Sequence, residues 1–102
     1  MDEHFFPYFA GYIDGDGHFR FRKYIQDGYT CFHSKIMITS TNKTPIEYFM
    51  KNIGGSFYKK IHKNEKWKEE YIYTLHVGKD IFEKIQPLKM YLVEKISQFN
   101  LL

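Results

Sequence analysis

The sequence predicts an α+β domain in the order αββαββαα, on three features. Two stretches of period-two alternation, each split by a polar turn, read as β-hairpins; a segment of helical spacing with start and stop residues lies between them; and an apolar helix opens the chain. At 102 residues the chain has the size of a single domain, over residues 1–102, and excludes a multidomain enzyme. A hydrophobic share of 43% excludes intrinsic disorder, and the aromatic share of 20% is high.

The elements follow in order. Residues 5–13 are apolar except for small side chains, and Pro7 is tolerable only in a first helical turn, so a short helix ends before Gly17. Because it is apolar all round, it needs cover on several sides, from its own sheet and a partner chain or from an unusually wrapped core. Residues 18–25 alternate, with Phe19, Phe21 and Ile25 inward and His18, Arg20, Arg22 and Tyr24 outward. Gln26-Asp27-Gly28 turns the chain, and residues 32–41 alternate again, with Ile36 and Ile38 inward and His33, Lys35, Met37 and Thr39 outward. Thr44 reads as a helix cap, Pro45 as the first helical residue and Glu47 as its capping-box partner; Ile46, Phe49, Met50 and Ile53 then keep helical spacing up to Gly54-Gly55. Residues 57–62 and 71–77 form the second hairpin around a polar loop at 64–70. Phe57, Ile61, Tyr71, Tyr73, Leu75 and Val77 face inward, and Tyr58, Lys60, His62, Ile72, Thr74 and His76 outward. Asp80 caps a short helix to Ile85, Pro87 ends it, and residues 88–99 read as a last amphipathic helix.

A formal charge of +3 names no partner, but its placement is uneven. Both arginines stand in His18-Phe19-Arg20-Phe21-Arg22-Lys23, and a second basic block runs from Lys59 to Lys68. Cations interleaved with aromatics suit a nucleic-acid face; ordinary solvated strand faces are the competing reading. The lone Cys31 excludes an internal disulfide and a zinc-binding cysteine cluster. No apolar run approaches the roughly 20 residues of a membrane helix, and Met1-Asp2-Glu3 resembles neither a signal nor a transit peptide. The chain is therefore expected off the membrane, unsecreted, in the compartment where it is made, whether a cytoplasm or an organelle.

The chemistry concentrates in Phe9-Ala10-Gly11-Tyr12-Ile13-Asp14-Gly15-Asp16-Gly17. Gly11 and Gly15 share one helix face, which lets a second helix approach closely. Asp14 and Asp16 meet the negative end of the helix dipole, an awkward place for carboxylates without a cation. A close helix pair would bring two such tips together, each able to hold a divalent metal through oxygen. A solvated turn is the bland alternative. A calcium loop starting at Asp14 fails, because its sixth and twelfth positions are Phe19 and Ile25, and the glycines fit no phosphate-binding fingerprint.

This nine-residue segment resembles the signature of the LAGLIDADG homing endonucleases, mobile intron-associated enzymes. Phe9 and Tyr12 stand for the two leucines and Gly15 for the second alanine, while the acidic positions and the first and last glycines match. The predicted element order is also that family's. The resemblance implies a saddle-shaped antiparallel sheet with helices on one face. It also implies a homodimer joined through Phe9, Gly11, Tyr12, Asp14 and Gly15, and a long palindromic or nearly palindromic double-stranded DNA target. Asp16 and the Gly15 carbonyl would hold Mg²⁺ or another divalent ion such as Mn²⁺, and Asp14 would cap or bond across the helix pair. Cleavage across a minor groove about 6 Å wide would leave short 3′ overhangs. Asn42 takes the place of a polar residue after the second strand, where glutamine is commoner, and Lys95, with Lys89 as rival, that of a water-organising lysine.

The expected DNA-reading set is His18, Arg20, Arg22, Tyr24, Gln26, His33, Lys35, Met37, Thr39, Tyr58, Lys60, His62, Thr74 and His76. The arginines lead it because a guanidinium grips guanine O6 and N7 together. Two alternatives share the fold: an RNA maturase acting on intron RNA and a non-cleaving DNA-binding module.

Overall fold

In the computed structural model, which describes residues 3–60 and 69–102, the chain follows the predicted order until its last segment. Helix α1 spans Phe5–Asp16, strand β1 Gly17–Gln26, β2 Tyr29–Ser40, helix α2 Lys43–Ile53, β3 Ser56–Lys60, β4 Glu70–His76 and α3 Lys79–Lys84. A 3-10 helix at Gln86–Met90 and a one-turn helix α4 at Ile96–Phe99 follow. The four strands form one antiparallel sheet in the order β1-β2-β4-β3.

Local chemistry explains the joints. At Gly17 the chain passes directly from helix to strand, and a Cβ there would lie 2.8 Å from the Ile13 Cα, so only glycine fits. Asp27 and Gly28 have φ of 53° and 81°, the two left-handed residues of a tight hairpin loop, and Gln26 pairs with Tyr29 across it. The cap of α2 is Asn42 rather than Thr44: its side chain accepts from the Thr44 N–H at 3.0 Å. Asparagine is the stronger cap, and starting the helix there moves Pro45 to its third position, where the absent N–H is still harmless. Glu47 therefore forms no capping box and lies 3.7 Å from the Lys43 ammonium. Gly78, not Asp80, is the cap of α3, and Asp80 sits in its first turn.

The core lies on one face of the sheet. Phe5, Phe9, Ala10 and Ile13 from α1 and Ile46, Phe49 and Ile53 from α2 pack with Ile36, Ile38, Tyr73 and Leu75 from the central strands. Ile85, Leu88, Leu92 and Phe99 close it from the C-terminal segment. Tyr73 carries the polar end of this core: its hydroxyl donates to the Gly54 carbonyl at 2.5 Å, and burial pushes its ionisation far up.

Two further expectations are corrected. Phe21 and Ile25 point to the core side as the alternation requires, but are 44% and 76% exposed, because β1 and β2 run beyond the helices that cover their bases. Residues 88–99 do not form one helix: the chain leaves the 3-10 helix at Met90 and re-enters helix only at Ile96. The Val93 and Lys95 N–H groups donate to the Asp14 carboxylate, which removes them from any helical ladder.

Candidate active site and nucleic-acid face

The end of α1 sorts its two aspartates into different roles. The Asp14 carboxylate is turned inward against the chain's own C-terminal segment, accepting from the Val93 N–H at 2.7 Å and the Lys95 N–H at 3.0 Å. The Lys95 ammonium then reaches the helix end, donating to the Ile13 carbonyl at 2.5 Å and the Asp14 carbonyl at 3.0 Å. Both carbonyls lie in the last turn of α1, at the negative end of its dipole, and that of Ile13 also accepts from the Gly17 N–H. Lys89 lies elsewhere, 6.0 Å from the Phe99 ring centre. Of the two lysines, Lys95 is thus the one at the motif.

Asp16, the last residue of α1, is exposed and has no hydrogen-bond or ion-pair partner among the described residues. It lines an open cavity of about 440 Å³ with Tyr12, Thr39, Ser40, Thr41, Asn42 and Glu70. The structure therefore brings Asp16 and Asn42 to one cavity, although the Asn42 side-chain oxygen is engaged in capping α2. Glu70 was missed by placing it in the loop before β4. Extending the alternation of Ile72, Thr74 and His76 back by two residues puts it on their outward face. The oxygens lining the cavity are the carboxylates of Asp16 and Glu70 and hydroxyl, amide and carbonyl groups. That is a hard-oxygen set suited to Mg²⁺ rather than to a soft metal. Among the described residues no group of three or more His, Cys, Asp or Glu side chains gathers.

The sheet face opposite the core carries the predicted readers. His18, Arg20, Arg22, Tyr24, Gln26, His33, Lys35, Met37, Thr39, Tyr58, Lys60, Thr74 and His76 are all exposed or half-buried; His62 lies outside the described residues. The register arranges them in rows across the strands: Arg22 with His33, Arg20 with Lys35 and His76, and His18 with Met37 and Thr74. Arg20, Arg22, His33, Lys35 and His76 share one open cavity of about 500 Å³ with Phe21. Arg20 Nε donates to His18 Nε2 at 3.2 Å. Burial, then the charges of Arg20, Lys95 and Lys35, hold the His18 imidazole below its ordinary value.

The five residues expected at a helix pair divide. Phe9 is corrected: it is 0% exposed, stacked 5.1 Å from the Phe5 ring and tilted against that of Phe49 at 5.0 Å, inside the chain's own core. Gly11 and Gly15 are exposed, and a Cβ at either would meet nothing within 4 Å. Tyr12 is half-buried beside them, its ring 5.2 Å from that of Tyr8, which is 42% exposed. Asp14 is half-buried and bonded within its own chain, as described above.

No family profile matches the sequence, and a comparison with curated proteins gives no match. Solved structures do match. An archaeal intron-encoded homing endonuclease, I-Vdi141I, complexed with DNA, superposes with a TM-score of 0.70 at 19% identity over 97% of this chain. I-CvuI, a homing endonuclease solved with an uncleaved DNA target and Mg, gives 0.64 at 19% identity over 94%. The LAGLIDADG homing endonuclease I-GzeII, with its DNA target, gives 0.66 at 22% over 93%. This chain spans 65%, 61% and 33% of the lengths of those three chains. It has the LAGLIDADG homing endonuclease fold, a four-stranded antiparallel sheet with helices on one face.

Proposed function

We propose that this chain is a site-specific double-strand DNA endonuclease that works as a homodimer with a divalent metal. The observation that carries the reading is the division of labour at the end of α1. Asp14 is satisfied within the chain, while Asp16, two residues on, stands at the negative helix end with no partner among the described residues. An unpaired carboxylate beside a helix C-terminus is electrostatically unfavourable until a cation joins it. The exposed glycines complete the picture. Each destabilises a helix interior by about 0.5–1 kcal/mol relative to alanine, and none of the described residues occupies the space that their missing side chains leave. A second α1 packed along Gly11 and Gly15 would use that space and bring two Asp16 carboxylates to one centre.

Asp16, with the Gly15 carbonyl, would hold the cation, and Mg²⁺ or Mn²⁺ there supplies Lewis-acid activation of the phosphate and of water. Lys95 neutralises the helix end from beneath. Arg20, Arg22, Lys35 and their neighbours supply phosphate and base contacts across the sheet, and two copies would read a palindromic or nearly palindromic site.

The test is to incubate the purified protein with a randomised palindromic duplex library and Mg²⁺, with Asp16→Asn as control, and to sequence the ends. Symmetric staggered ends with short 3′ overhangs, lost in Asp16→Asn while duplex binding persists, are the expected result. Unchanged cleavage by the variant would refute the site. Binding without any cutting by the wild-type chain would refute the endonuclease and point to a binding module, with structured intron RNA as the next substrate.

A further inference from the structure

On the uncovered sheet face, away from the end of α1, two imidazoles meet across the central strands. His33 projects from β2 and His76 from β4, where His76 pairs with Lys35, so the rings approach along the diagonal between neighbouring rows. His76 Nδ1 lies 3.0 Å from His33 Nε2, with the ring centres 4.9 Å apart and the ring planes inclined at 35°. Both residues are held by hydrogen-bonded strands in the middle of the sheet, so the spacing of the rings is set by backbone that is already ordered.

We propose that His33 and His76 form a two-nitrogen chelating site for a borderline transition-metal dication, of which Ni²⁺ and Cu²⁺ are the best fits. The bite decides the class. With metal–nitrogen bonds of about 2.0–2.1 Å, a nitrogen separation of 3.0 Å subtends about 94° at the ion. That is the cis angle of square-planar or octahedral coordination, not the wider angle of a tetrahedral zinc centre. The ring centres are also closer than an end-on alignment of two imidazoles would place them, so the hydrogen bond that now joins the two nitrogens is bent, and it would give way when both ligate the ion. Waters would fill the remaining positions, and the adjoining cavity of about 500 Å³ has room for them.

The site is chemically separate from the one at Asp16. Imidazole nitrogen suits nickel and copper, whereas Mg²⁺ prefers oxygen, so neither ion belongs in the other's place. His18 does not compete for the metal, because Arg20 donates to its Nε2. Electrostatics set the strength: Arg20, Arg22 and Lys35 line the same cavity, and among the described residues no acidic side chain does. Their repulsion of a dication is screened by salt, so metal affinity should rise with ionic strength, the reverse of phosphate binding on the same face. The chelate itself does not depend on the proposed endonuclease activity.

The experiment is calorimetric titration of the full chain with NiCl₂ at low and high KCl, with NMR observation of paramagnetic broadening of the imidazole signals. One Ni²⁺ per chain is expected, broadening His33 and His76 first and binding more tightly at high KCl. His33→Ala and His76→Ala, both at solvent-accessible positions, should each weaken binding at least about tenfold. Their double variant should lose little more, because one ligand alone does not chelate. Circular dichroism establishes that each variant keeps its fold. Unchanged Ni²⁺ affinity in His76→Ala, loss confined to His4→Ala or His62→Ala, or binding that weakens as KCl rises would each overturn the site.

Discussion

Removing the Asp14 carboxylate should release the C-terminal segment. Asp14→Ala deletes two hydrogen bonds from backbone N–H groups, at 2.7 Å from Val93 and 3.0 Å from Lys95, that join positions 79 and 81 residues apart. Hydrogen bonds to a charged partner contribute about 1.5–3 kcal/mol each. Discounted for partial exposure, the pair should contribute about 2–4 kcal/mol, a large share of the roughly 5–15 kcal/mol that holds a small domain folded. Asp14→Asn keeps one acceptor oxygen and should lose about half as much. Urea unfolding reads the global loss, and amide exchange at Val93 and Lys95 reads the local one, with protection there falling before that of Ile36 or Ile38 in the core. Stability within about 0.5 kcal/mol of wild type, with those two amides as protected as before, would refute the contact. A loss that grew on dilution would return Asp14 to the helix pair, where the sequence placed it.

Two further outcomes are expected. Phe9→Ala should destabilise by about 3–5 kcal/mol in urea unfolding, independently of protein concentration, because its ring packs against Phe5, Phe49 and Tyr73 in the same chain; a concentration-dependent loss would return it to a partner interface. The His18 imidazole should titrate below 6.5 by NMR, chiefly through burial and then through Arg20, Lys95 and Lys35, and Arg20→Ala should move its midpoint up. Since its folded value is depressed, its contribution to stability is full above pH 6.5 and falls as pH drops from there through the folded midpoint. A midpoint at or above 6.5 would contradict the packing around it.

Where the deciding chemistry is local, the sequence carried it. Asp27-Gly28 is a hairpin turn because both residues accept positive φ, and the alternation of residues 18–25 and 71–77 assigned the faces of their strands. Alternation assigns a face but not how far a covering helix reaches, which is why Phe21 and Ile25 point to the core side yet stay in water. Asn42 and Thr44 are both good caps two residues apart, and the backbone leaving β2 chose between them. The last helix failed for a non-local reason, since its donors are taken by a carboxylate on α1. At the site, Asp16 and the outward strand residues were visible in the pattern. Glu70 was hidden by drawing the strand one residue short, and Lys95 was singled out only through the family resemblance.

Asp14 and Asp16 are two residues apart, and on a helix that spacing turns them to different sides. One side faces the tail and the other the cavity beside Asn42. The helix end thus gathers two carboxylates and the equivalent of about half a negative charge from its dipole, a concentration that would resist leaving Asp16 unpaired. Lys95 relieves it without touching Asp16, because its ammonium is spent on the Ile13 and Asp14 carbonyls. Asp14 in turn fixes the backbone from which Lys95 extends. Asp14 thus anchors the segment that carries Lys95, Lys95 offsets the helix end, and Asp16 is left exposed with no partner among the described residues. In this chain Asp14 acts through the fold, by holding the backbone of the segment from which the Lys95 ammonium reaches the end of α1.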